Sequence, residues 1–308
     1  MLDSLLATGK HEVTILTRPE STSTFSSSSN IVRVDYASEE DLISALSGHD
    51  SLIITLTAQA PPTTHTLIVN AAAKAGIKYI MPNYYGFGLG PRGGTLSSDP
   101  ILGMFGKFID DVRNVPVSEG GAKPNFIALC CGFWYEFSLS MGEPWFGFDI
   151  KSRSVTLYDE GETKINTSTW EQCGRAVASL LSLPVTAGDD GTPAVENWKN
   201  DGLHIASYLV SQKDMLNSLH RVLGTSDEDW TITKEPAKER YRRGLAQLQG
   251  GDRLGFARAM YAKCFFPGQG GNYETGYGLD NGKLELPQED LDEATRRAVE
   301  MASGGAHV

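Results

Sequence analysis

The stretch HEVTILTRPES, His11–Ser21, decides how the rest of the chain is read. Val13–Thr17 is a run of β-branched and apolar residues, closed by Arg18 and Pro19, and it reads as a strand. The segment before it is helical: Leu2, Leu5 and Leu6 fall at i, i+3 and i+4, and Gly9 follows as a C-cap. A helix that runs straight into a strand, with a cation at the strand's end, is a doubly wound α/β unit entered at its first helix.

The alternation continues outward. The serine-rich loop Ser21–Ser29 leads to a second strand, Ile31–Val34, and Ser38 with Asp41 forms a capping-box variant opening a helix through Leu46. A buried strand at Ser51–Leu56, a helix at Thr63–Ala75 ending on Gly76, and a strand at Ile77–Met81 come next. The glycine-rich loop GFGLGPRGG, a helix over Ile101–Asn114 and a strand at Asn125–Leu129 complete the first half. This order predicts an α/β fold, a Rossmann-like doubly wound parallel sheet over residues 1–132. The second half reads differently. Strand-like VTLY (Val155–Tyr158) precedes a helix at Trp170–Leu183, and strand-like Leu203–Val210 precedes a helix at Gln212–Leu223 capped by Ser211. Helices at Lys234–Gln249, Leu254–Phe265 and Gln288–Met301 follow. Residues 133–308 are therefore expected to form a smaller, interleaved α+β substrate-binding subdomain, with about 152–183 returning to the sheet.

The 308 residues carry a formal net charge of −11, which argues against a nucleic-acid partner. Lys238, Arg240, Arg242 and Arg243 form a local basic patch whose neighbours are acidic, and it reads as a solvated helix face. The four cysteines have no Cys-x-x-Cys spacing; adjacent Cys130 and Cys131 read as small buried apolar residues, and a reduced, cytoplasmic interior fits them. No apolar run is long enough to span a membrane. The six histidines are scattered, so no metal site is expected, and no nucleophile elbow is present.

Three features carry chemistry. Arg18 ends the strand where doubly wound folds meet the adenine ribose, and an arginine there accommodates the 2′-phosphate of NADP(H). Thr17 and Ser21 add hydroxyls; the competing reading is an exposed arginine in a turn. Lys107, in FGKFIDDVRNV, lies beside the apolar face made by Phe105, Phe108, Ile109 and Val112. A lysine near a nicotinamide can serve as a general acid–base, although a helix lysine taken alone is most often solvated. Finally, CCGFWYEF and PWFGFD gather Phe133, Trp134, Tyr135 and Trp145 after the last sheet strand. They make either an aromatic wall for a planar substrate or a core between two subdomains.

With those residues assembled, the chain resembles the NmrA-like and isoflavone reductase-like family of atypical short-chain dehydrogenases, in its fungal form. The resemblance rests on EVTILTRPES, on VRVDYASEEDLISALSGHDSLIIT and on NAAAKAGIKYIMPNYYGFG. The last looks like the family's Arg-Phe-x-Pro-Ser-Glu-Phe-Gly element, keeping Pro82 and Gly86 while substituting Asn83, Tyr84 and Tyr85. KFIDDVR resembles the helix carrying the reductase branch's catalytic lysine, which maps onto Lys107. The resemblance implies an NADP(H)-dependent oxidoreductase acting on a small aromatic molecule. Lys107 would be catalytic; Thr17, Arg18, Ser21, Thr57, Ala58, Asn83 and Phe133 would contact cofactor; Tyr84, Trp134, Tyr135 and Trp145 would contact substrate. The family's regulatory branch supplies the alternative, a dinucleotide sensor without turnover that binds a protein partner. Family members open with a strand and a Gly-x-x-Gly-x-x-Gly turn that would precede Met1. The resemblance therefore implies either a shortened form of a longer enzyme or a short form that binds dinucleotide poorly.

Overall fold

The computed structural model describes residues 1–25, 30–57, 60–61, 63–89, 96–117, 122–189 and 191–304. In chain order its first elements are α1 (Leu2–Ala7), β1 (Thr14–Thr17), β2 (Asn30–Arg33), α2 (Glu39–Leu46), β3 (Ser51–Ile53), α3 (Thr64–Ala75), β4 (Tyr79–Met81), β5 (Tyr85–Gly86), α4 (Gly106–Arg113) and β6 (Asn125–Cys130). Then follow β7 (Phe133–Trp134), α5 (Tyr135–Ser140), β8 (Phe148–Asp149), β9 (Ser154–Tyr158), β10 (Ile165–Ser168), α6 (Trp170–Leu181), β11 (Asp201–His204) and β12 (Tyr208–Val210). The last are α7 (Gln212–Leu223), β13 (Thr231–Glu235), α8 (Ala237–Gln249), α9 (Leu254–Cys264), α10 (Glu274–Tyr277) and α11 (Leu291–Gly304).

These elements divide into two compact units. One is Met1–Tyr85, Phe105–Leu129 and Val177–Leu203; the other is Gly86–Met104, Cys130–Ala176 and His204–Val308. The two units interleave along the chain, and Val177–Leu203 is grouped with the first.

The first unit is the α/β fold expected. Strands β1 and β2 pair in parallel, Thr14 opposite Asn30 through Thr17 opposite Arg33. A second sheet runs in the order β11-β6-β4-β3, with β3 parallel to β4 and β4 parallel to β6. Local chemistry sets the boundaries of the helices between them. The Ser38 hydroxyl accepts the Asp41 N–H to open α2, and Gly76 closes α3 at φ +85°, a conformation other residues resist. Among the described residues no strand pairing joins the two sheets. Between β1 and β3 lies a cleft of about 890 Å³, bordered by Val13–Leu16 and Ser51–Leu56. Accordingly β1 and β3 are only half-buried, whereas Phe126–Cys130 of β6 is buried throughout.

The second unit holds two three-stranded sheets, β12-β10-β7 and β13-β9-β8. Its core is aromatic: Phe133 stacks on Tyr261 at 3.8 Å between centroids, and Phe146 meets both edge-on. The expected helix face at Lys238–Arg243 needs correcting at Arg240, which is fully buried. Its guanidinium pairs with Glu143 and Glu235 and lies 4.6 Å from the Tyr158 ring.

Other expectations shift for identifiable reasons. The single strand Leu203–Val210 is two, because the Ile205 N–H donates to Cys130 while the Ser207 N–H donates to Thr167, so the chain changes sheets between them. Lys234 belongs to β13, and α8 begins only after Pro236, which holds its predecessor extended. The Ile101–Asn114 helix starts at Gly106, since Asp99 takes the Ile101 and Leu102 N–H groups into a buried turn. Strand β10 went unread because its sequence, INTS, is polar yet wholly buried.

Candidate functional site

In doubly wound sheets ligands bind beyond the C-terminal ends of the strands. At the end of β1, Arg18 is two-thirds exposed and forms an ion pair with Glu20 at 3.3 Å. Arg33, opposite Thr17 at the end of β2, donates to the carbonyls of Arg18, Pro19 and Ser21 at 3.3, 3.1 and 2.9 Å. One guanidinium thus shapes the turn and a second projects from it. The Ser21 hydroxyl accepts the Ser23 N–H at 3.3 Å. The Tyr36 hydroxyl donates to the Leu16 carbonyl at 3.0 Å, and burial raises its pKa. Two cations and the Thr17 and Ser21 hydroxyls in this turn fit a phosphate, which would take over Arg18 from Glu20. Arg33 was not singled out from sequence, because its partnership with residues 18–21 depends on strand pairing.

The ends of β3 and β4 are fastened by side chains. Asn83 accepts the Leu56 N–H with Oδ1 at 3.0 Å and returns Nδ2–H to the Leu56 carbonyl at 3.2 Å. The Tyr85 hydroxyl donates to the Ile54 carbonyl at 2.8 Å. The Asn83 N–H in turn donates to His65 Nε2 at 3.3 Å, and His65 Nδ1 meets Asp111 at 2.8 Å. With Nε2 accepting, the proton belongs on Nδ1, directed at Asp111. His65 is buried on α3; burial lowers its pKa, Asp111 opposes that, and the Lys107 charge adds to it. Phe108 of α4 packs against the imidazole at 4.7 Å.

Lys107 itself is exposed on the first turn of α4, close enough for its charge to act on His65. The His65–Asp111 link is absent from the sequence reading because the two residues lie 46 positions apart. Asn83, His65 and Asp111 are thus linked by hydrogen bonds, and Lys107 lies on the same helix, α4, as Asp111. Thr57 is exposed just past β3, and Ala58 lies outside the described residues. Asn83 spends its amide on Leu56, so its role here is to hold the strand ends. Tyr84 is buried next to it.

In the second unit the aromatic residues separate. Tyr135 is fully buried, its hydroxyl 2.7 Å from Thr295, and Phe133 is stacked in the core. Both residues are packed into the core of their unit. Trp134 and Trp145 keep partial exposure. Next to Trp134, Glu136 is buried; one oxygen accepts the Trp170 N–H at 3.0 Å and the other has no partner among the described residues. Burial holds its carboxyl above the usual carboxylate range. All four cysteines are buried, and none is in a disulfide. Among the described residues no three acids, histidines or cysteines are grouped to hold a metal, and no helix is long and apolar enough to cross a membrane.

Residues 1–100 match the NAD(P)H-binding family model. Oxidoreductase aprR of Aspergillus flavus is 31% identical over 287 residues, covering 91% of this chain and 88% of aprR. The chain belongs to this NAD(P)H-binding oxidoreductase family. Its fold is that of isoflavone reductase, with a TM-score of 0.70 at 15% identity over 96% of this chain and 94% of that one. An NADPH-dependent quinone oxidoreductase of Escherichia coli is also similar, with a TM-score of 0.62 at 16% identity over 96% and 93%. The isoflavone reductase-like resemblance drawn from EVTILTRPES, VRVDYASEEDLISALSGHDSLIIT, NAAAKAGIKYIMPNYYGFG and KFIDDVR is borne out at the level of family and fold.

Proposed function

We propose that this oxidoreductase uses NADP(H) to reduce a small aromatic molecule, with Lys107 as its proton-handling residue. The observation that supports the reading is a two-arginine turn ending β1–β2 and, within the same unit, Lys107 on α4, the helix tied through Asp111 and His65 to Asn83. The cofactor, when bound, supplies a hydride. Arg18 and Thr17 hold the 2′-phosphate, Arg33 fixes the turn that presents them, and Ser21 and Thr57 line the same edge. The His65–Asp111 pair links α3, α4 and the Asn83 loop, and so sets where the first turn of α4 carries Lys107. Lys107 gives the proton that accompanies the hydride as its ammonium, or takes it as its neutral amine in the reverse direction, directly or through a water. The two structural neighbours are named for an isoflavone and a quinone, both planar and conjugated, which supports that substrate class.

Lys107→Ala tests the assignment. NADPH oxidation with a panel of quinones and aromatic enones should fall by roughly 10²-fold or more, the usual contribution of a general acid. NADPH affinity should change less than about twofold, because Lys107 is charged with proton transfer rather than phosphate binding. Unchanged turnover would remove Lys107 from the mechanism.

A further inference from the structure

We propose that Ser21 is a phosphorylation site whose phosphate, once installed, occupies the Arg18–Arg33 turn and competes there with the 2′-phosphate of NADP(H). The competition rests on the NADP(H) reading; the fit of the phosphoserine to the turn does not.

The turn itself singles out Ser21 from the serines and threonines that follow. The Ser21 N–H closes it by donating to the Arg18 carbonyl at 3.1 Å, with Pro19 at the second position, where its fixed φ favours such a turn. The Ser21 carbonyl accepts from Arg33 at 2.9 Å, the shortest of that guanidinium's three bonds to the turn. Both backbone groups of Ser21 are therefore fixed. Its hydroxyl accepts the Ser23 N–H at 3.3 Å and donates to nothing among the described residues. Ser21 is half-buried and leads into exposed Thr22, Ser23 and Thr24.

The guanidiniums around it have donors to spare. A guanidinium carries five N–H donors. Arg33 makes all three of its bonds through Nη1, and among the described residues Nε and Nη2 have no partner. Arg18 projects two-thirds exposed, with the Glu20 carboxylate at 3.3 Å. In RPES, Arg18 also stands three residues ahead of the Ser21 hydroxyl. That spacing suits an arginine-directed protein kinase, whose acidic groove pairs with the guanidinium.

In the transfer, the Ser21 oxygen attacks the γ-phosphorus of a nucleoside triphosphate held by the kinase. The new O–P bond replaces the bond to the departing nucleoside diphosphate, and the hydroxyl proton goes to the kinase's base. The product adds a charge of about −1.5 to −2 and three acceptor oxygens at pH 7. Those oxygens can take Nε and Nη2 of Arg33 and displace Glu20 from Arg18, while one still accepts the Ser23 N–H. Two guanidiniums can neutralise one phosphate dianion, and a second brought beside it is repelled. A nucleotide without a 2′-phosphate escapes that repulsion, and doubly wound folds use an acidic group at this place to hold a ribose 2′-hydroxyl.

Three measurements on the full chain test the proposal. The chain is incubated with arginine-directed kinases and ATP, and the acceptor is mapped by peptide mass spectrometry. Phosphate at Ser21 is expected, and phosphorylation that spares Ser21 would overturn the site. The chain is then made with phosphoserine encoded at position 21 and titrated by ³¹P NMR. Its second ionisation should fall at least about 0.5 unit below the value of about 6 expected for the urea-unfolded chain, because the guanidiniums favour the dianion. An unshifted ionisation would overturn the placement in the turn. Calorimetry reads the competition: phosphorylation should weaken adenosine 2′,5′-bisphosphate at least about tenfold and adenosine 5′-diphosphate less than about threefold. A preference for the bisphosphate that survives phosphorylation would overturn the competition alone. No preference in the unphosphorylated chain would overturn it together with the 2′-phosphate reading.

Discussion

Replacing Asn83 isolates the fastening of the β3 and β4 ends, because its side chain makes both of its bonds to one residue, Leu56. Asn83→Ala removes two hydrogen bonds of 3.0 and 3.2 Å, each contributing about 0.5–1.5 kcal/mol net. Leu56 is half-buried, so water replaces part of the loss, and a decrease of about 1–2 kcal/mol in unfolding free energy follows. Asn83→Asp is the sharper probe. Its carboxylate still accepts the Leu56 N–H but sets a second oxygen against the Leu56 carbonyl. At pH 7 it should therefore be less stable than Asn83→Ala. Once protonated, the introduced carboxyl regains a donor, so folding favours the protonated form and raises its pKa above the unfolded value of about 3.9. The penalty is full above that raised pKa and disappears as pH falls through it. Urea denaturation at several pH values, each variant against the wild type at the same pH, reads the effect as a midpoint shift at constant slope. If Asn83→Asp is as stable as wild type at pH 7, or shows no relative recovery on acidification, the two-bond geometry is refuted.

Two further outcomes follow from buried charge. His65 is held neutral with a lowered pKa, so its contribution is complete above about pH 6.5 and is lost as pH falls below that value toward the folded pKa. The urea midpoint should drop between pH 7 and pH 5, and His65→Gln should flatten that slope; an equally steep slope in the variant would exclude His65 as its source. Arg240→Ala leaves Glu235 and Glu143 short of a buried cation, with Arg258 still 2.9 Å from Glu143. In Glu143 burial works to raise the pKa, but Arg240 and Arg258 outweigh it and hold the carboxyl low. A loss of about 3–5 kcal/mol is expected in denaturant unfolding, and a loss under about 1 kcal/mol would show that the remaining partners suffice.

The parts of the fold legible in the sequence were those written in local periodicity and caps. Leu2, Leu5 and Leu6 marked α1, Ser38 and Gly76 bounded α2 and α3, and Ser211 opened α7, each through contacts a few residues apart. What periodicity could not supply was pairing across distance. Nothing near Arg33 announces that its guanidinium holds the Arg18–Ser21 turn, and nothing in TTHTLI or FIDDVR announces that His65 and Asp111 meet. Burial was misjudged for the same reason. The Arg240 segment looks solvated until Glu143, 97 residues away, is placed against it, and β10 looks like a loop until Asn166 reaches Glu274. The aromatic run at Phe133–Tyr135 left wall and core equally open; the structure assigns Phe133 and Tyr135 to core by stacking on Tyr261 and bonding to Thr295.

The central claim is a 2′-phosphate site at the end of β1–β2, and calorimetric titration with adenosine 2′,5′-bisphosphate beside adenosine 5′-diphosphate tests it directly. The 2′,5′-bisphosphate should bind at least about tenfold tighter, a charge-assisted contact of about 1.4 kcal/mol or more, and Arg18→Ala should erase the difference. Equal binding of the two nucleotides, or a preference that survives Arg18→Ala, would contradict the account.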